Sequence, residues 1–107
     1  MKELTYGATS ATTSTSYIFE LGNYLYFSCH IDFSGSTLAG NLDIHASNDN
    51  SDWVDTSNQK AVTSAASKLY SLGPVSYKYV KVVWTQSGGT GNWTIYTVLK
   101  DSLIIGV

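Results

Sequence analysis

The chain has 107 residues and a net charge of −2, and 13% of it is charged, against about 25% in an average soluble domain. This length holds one core, and no apolar run approaches the roughly 18 residues of a membrane-spanning helix. There is no Arg and only one Cys, which argues against a duplex-DNA reader with its basic stripe and against a disulfide scaffold or multi-cysteine metal knuckle.

Ser and Thr together supply 27 residues. With the many Val, Ile, Phe, Trp and Tyr residues they favour pleated sheet over helix. No apolar h-region follows Met1, so the chain is expected to be made without a signal peptide. Residues 1–16 read as a flexible Ser/Thr-rich arm, because Gly7–Ser16 has too little apolar surface to hold itself in place. Residues 17–107 read as a single β-sandwich domain.

Within that domain Tyr17–Leu21 alternates and ends at Gly22-Asn23. The next run has the clearest period of two. Leu25, Phe27, Cys29, Ile31 and Phe33 fall on one face, and Tyr24, Tyr26, Ser28, His30 and Asp32 on the other. A loop over residues 34–40 leads to Asn41–Ala46, with Leu42, Ile44 and Ala46 inward. Asn and Asp at 48–52 make a tight turn through bonds to their own backbone. Short strands follow at 53–55, 60–63 and 67–72, and Gly73-Pro74 interrupts the chain. Tyr77–Thr85 is a long strand with Val80, Val82 and Trp84 inward. Gly88-Gly89-Thr90-Gly91 closes a hairpin, and Trp93, Ile95, Thr97 and Leu99 alternate after it. The expected fold is therefore all-β, an antiparallel β-sandwich of jelly-roll type with seven or eight short strands.

Three segments, Ala46–Trp53 (ASNDNSDW), Tyr77–Trp84 (YKYVKVVW) and Ser87–Thr94 (SGGTGNWT), taken in this order resemble small β-sandwich virion proteins of bacteriophages. Those proteins are capsid decoration, accessory or tail components. The Asn-Asp turn before Trp and the Tyr-Val-Lys-Val strand also resemble discoidin-type binding sandwiches. Such domains are usually longer and often stapled by a disulfide, which this chain lacks. The resemblance to phage proteins implies a non-enzymatic structural subunit, made in the host cytoplasm and located in the virion. Its partners would be itself, as a homo-oligomer such as a trimer, and other virion proteins. The alternative is a carbohydrate- or cell-surface-binding module.

The candidate residues fit that picture. No Gly-x-Ser-x-Gly or thiol-protease pattern is present, so neither catalysis nor a cofactor is expected. Cys29 reads as a small buried hydrophobe. Tyr24, Tyr26, Tyr77 and Tyr79 read as outward residues of an interface or ligand surface, since tyrosine joins apolar area to a polar tip. Cross-strand aromatic packing explains them equally well. Ile104 and Ile105 form an apolar tail that needs a partner strand, in its own sheet or another chain.

His30 and His45 suggest a metal site. If the second and third strands of the domain pair with Ile31 opposite Ile44, then His30 faces His45 and Asp32 faces Asp43. Two imidazoles and two carboxylates would then share a patch able to hold Zn²⁺. A solvated face of His–Asp contacts accounts for the same residues. The Asp49–Asp52 turn lacks the Gly and Glu that a Ca²⁺ loop of EF-hand type requires.

Overall fold

The computed structural model describes residues 2–63 and 66–101, with side chains over the same range except 6–9. Nine strands follow in order: β1 (Lys2–Ser10), β2 (Thr15–Glu20), β3 (Tyr26–Ser34), β4 (Ala39–Ser47), β5 (Val54–Asp55), β6 (Lys60–Thr63), β7 (Ala66–Leu72), β8 (Tyr79–Gly88) and β9 (Asn92–Lys100). One sheet has the order β1-β9-β3-β7, the other β2-β8-β4-β5, with β6 also paired to β4. Every ladder is antiparallel. The chain changes sheet at each successive strand, except that β5 and β6 stay with β4 and share one position on its edge. This alternation is the jelly-roll order.

The inward residues of the two sheets fill the space between them. Phe27, Cys29 and Ile31 on β3 are fully buried, as are Leu42 and Ile44 on β4. Val80, Val82 and Trp84 on β8 and Trp93, Ile95 and Leu99 on β9 complete the same core. Each is in the phase that its period of two dictates. Aromatic rings join the layers at one end. Phe33 lies 4.8 Å from Trp84 and 5.9 Å from Trp93, and Tyr17 lies 5.4 Å from Trp93. Burying a side chain of this size stabilises by about 1.5–3 kcal/mol, so this cluster is a principal tie between the sheets.

The structure differs from the expectations in four places. Most of the expected arm at 1–16 is strand. Lys2 to Ser10 pairs with Leu99 to Asn92 of β9, with a register shift between Tyr6 and Thr9. The backbone ladder orders a segment that apolar burial alone would not. Second, β3 and β4 do not pair. Loop 35–38, with Gly35 at φ 124°, carries the chain from one sheet to the other. Third, Leu25 is 44% exposed, because β3 begins one residue later and the turn at Gly22 (φ 57°) breaks the pleat before it. Fourth, β8 begins at Tyr79, leaving Tyr77 in the connection that precedes it.

Candidate functional site: the outer faces and the end cleft

The four tyrosines do not form one surface. Tyr24 and Tyr77 are half-buried and pack against the core. Tyr26 is on the outer face of the first sheet, opposite Lys100 and against Gly73. Tyr79 is on the other sheet, between Glu20 of β2 and Ser47 of β4. Ile104 and Ile105 lie outside the described residues.

The exposed apolar row is elsewhere. His30 on β3 is the register partner of Leu69 on β7 and of Tyr96 on β9. Leu69 is 63% exposed and Tyr96 44%. The His30 and Tyr96 rings lie 5.7 Å apart. This row crosses three strands on the outer face of the first sheet. Sequence reasoning passed over Leu69 and Tyr96. For Tyr96 the signal was available, since alternation along Trp93–Leu99 puts it outward. Leu69 needed the pairing of β7 with β3, which no local pattern reveals.

The expected four-ligand cluster does not form, because β3 and β4 belong to different sheets and their outward residues point away from each other. His30 instead contacts Asp32 on its own strand (Nε2 to Oδ1, 2.9 Å), and Ser67 also donates to that Asp32 oxygen. His45 contacts Asp43 on its own strand at 3.6 Å. Across the β4–β5 ladder His45 faces Asp55, a residue the sequence reading did not single out. One ligand atom each from Asp43, His45 and Asp55 lies within 4.8 Å of the others.

The turn after β4 follows its expected chemistry. Asp49 Oδ1 accepts bonds from the Ser51 and Asp52 backbone N–H groups at 2.9 and 2.8 Å and from the Ser47 hydroxyl at 2.9 Å. These donors, Asp52 foremost, pull its pKa from an ordinary 3.8 to about 2. Asn50 takes the left-handed conformation at φ 59°. Beside this turn a cleft of about 310 Å³ opens at the end of the sandwich, lined by Ser47, Asn48, Asp52, Val54 and Tyr77 among others. The Asn48 side chain accepts a bond from the Lys78 N–H at 3.1 Å, tying the turn to the connection that carries Tyr77.

By sequence the chain matches no protein-family model and no curated protein. By structure it is similar to the PBSX exported protein XepA, at a TM-score of 0.72 and 15% identity over 99% of this chain. It spans 39% of the XepA chain. It is also similar to the SPBc2 prophage-derived protein YomS, at a TM-score of 0.60 and 12% identity, covering 91% of this chain and 94% of that one. A CBM4 structure overlaps at a TM-score of 0.47 with 12% identity, over 81% of this chain and 59% of its own, a looser match than a common fold gives. Identities this low establish the shared sandwich and nothing finer. The two phage proteins agree in fold with the phage resemblance of the three sequence segments.

Proposed function

We propose that the chain is a phage-associated, non-enzymatic structural protein of the virion, a capsid decoration or accessory or tail subunit that works by association. The observation that carries this reading is the Leu69–His30–Tyr96 row on the outer face of the first sheet. Tyrosine and exposed aliphatic groups on a rigid, sparsely charged sheet suit a wet contact between subunits. The shared sandwich of XepA and YomS supports the phage setting. The occupant of the face is a further copy of this chain, since a closed homo-oligomer is the commonest way for a soluble subunit to bury such a surface. Light scattering behind size exclusion tests it. A trimer or other closed oligomer is expected, and Leu69→Ser with Tyr96→Ser returns it to monomer with the fold intact. A wild-type monomer at high concentration overturns the proposal.

The end cleft favours a second reading, binding of a glycan. Tyr77 offers a ring face, and Asn48 and Asp52 offer polar groups beside it. Its size falls at the lower edge of the range for small-ligand sites, about 300–1,000 Å³. A glycan array at concentrations that detect millimolar binding decides this reading. Hits lost in Tyr77→Ala support it, and an empty array removes it.

A further inference from the structure

We propose that Asp43, His45 and Asp55 form a binding site for one divalent transition-metal ion of the Zn²⁺ type, which clips strand β5 to strand β4. The register makes the site. Asp43 and His45 are two residues apart on β4 and share its outer face, and Asp55 is the direct partner of His45 on β5. Candidate ligand atoms of the three lie within 4.8 Å of one another. Ligand atoms around a tetrahedral Zn²⁺, each at roughly 2.0–2.2 Å from the ion, stand about 3.4 Å apart. Side-chain rotations of about an ångström close that difference.

The two carboxylates are already oriented. Asp43 Oδ1 accepts the Ile44 N–H at 2.8 Å, and Asp55 Oδ1 accepts the Ser57 N–H at 2.7 Å. In each case the second oxygen remains for a ligand, and backbone bonds of this kind fix the direction of a ligating group. Asp43 Oδ2 is the oxygen that faces His45 Nε2, at 3.6 Å. That distance is too long for a hydrogen bond, and it is suited to two groups with an ion between them.

The neighbouring cations are engaged elsewhere. Lys81 is the register partner of His45 on β8, yet its Nζ lies 4.4 Å from the centre of the Trp53 ring. Lys60, the partner of Leu42 on β6, lies over the Tyr70 ring at 5.2 Å. Among the described residues Asp43 has no ion partner but His45, and Asp55 has none.

One imidazole and two carboxylates favour Zn²⁺, Mn²⁺ or a similar ion over Ca²⁺, which takes six to eight oxygens. Three protein ligands leave a coordination position for water. The His30–Asp32 pair on the opposite face has no third His, Cys, Asp or Glu grouped with it among the described residues, which makes it the internal control.

The test uses the whole chain, freed of metal by chelator and then mixed with Zn²⁺. Elemental analysis after desalting is expected to give one ion per chain. The melting temperature is expected to rise by about 10 °C at a hundredfold excess over Kd. His45→Gln and Asp55→Asn lose both effects, and His30→Gln keeps them. Amide shifts in the wild-type protein are expected to centre on residues 43–45 and 55, a readout that does not depend on any variant folding. No bound zinc at millimolar concentration, uptake that survives His45→Gln, or shifts centred on His30 overturns the proposal.

Discussion

The indole Nε1 of Trp84 donates a 2.8 Å hydrogen bond to the carbonyl oxygen of Ala11, and both residues are fully buried. The N–H of Ala11 donates to the Gly91 carbonyl at 2.8 Å. Both polar groups of one buried backbone position are thus satisfied by residues far along the chain. Trp84→Phe keeps a ring in the core but strands the Ala11 oxygen. The expected loss is about 2–4 kcal/mol, the unsatisfied carbonyl adding to the cavity, read as a lower urea midpoint.

Deleting residues 2–10 removes β1 and uncovers the edge of β9. Were this segment a loose arm, its removal would leave stability unchanged. As a paired strand carrying Leu4 against the core, its loss is expected to cost about 3 kcal/mol or more. At this size each kcal/mol is about 4–8 °C of melting temperature. Aggregation should also rise, since the bared edge offers unpaired backbone groups to other chains.

Two glycines at the same end of the β4–β8 ladder should respond in opposite ways. A Cβ on Gly40 would collide with the Thr85 carbonyl and the Trp84 ring, whereas one on Gly88 meets nothing. Gly40→Ala is expected to destabilise by about 1–3 kcal/mol. Gly88→Ala is expected to be neutral or to stabilise by about 0.5 kcal/mol, through a less flexible unfolded chain. Chemical denaturation of the pair measures the contrast.

Asp49 gives a signature in acid. Its pKa is depressed in the folded protein, from 3.8 to about 2, so the stability it contributes is present above pH 4 and is lost as pH falls towards 2. Asp49→Asn should flatten the denaturation midpoint across pH 4 to 2 relative to wild type and leave the carboxylate-independent part of the profile unchanged. An identical acid limb in both proteins counts against the turn geometry.

Cys29 is buried, and burial pushes its thiol up to about 12. The thiolate is the reactive form, so alkylation at neutral pH should follow global opening and slow as stability rises. A stoichiometric reaction with a thiol reagent within seconds in native buffer would place Cys29 outside the core.

Much of the sandwich was legible in the sequence. On β3, β4, β8 and β9 one face is buried and the other is not, so a period of two marks both the strand and its inner residues. The rest was hidden for physical reasons. In β1 the Ser and Thr residues carry no apolar phase, and its order comes from the ladder to β9. The partner of β3 is decided by a chain that crosses the sandwich at residues 35–38, a non-local choice with no local mark. That crossing separated His30 from His45, while the short turn between β4 and β5 brought Asp55 to His45. The tyrosines were legible as a type and not as a place, since Tyr77 lies outside the strand that would have turned it outward.

Gly35, Gly89 and Gly91 sit where the 11–14, 35–38 and 89–91 connections meet, and an added Cβ on any of them would strike backbone across that junction. Backbone resting on backbone leaves no slack at this end, whereas the exposed 48–52 turn at the other end is held mainly by its own side chains. Tolerance to sequence drift is therefore polarised along the length of the molecule. Peptides, tags or new recognition loops can be grafted at the 48–52 turn with the fold kept, and at the glycine end only by rebuilding all three connections together.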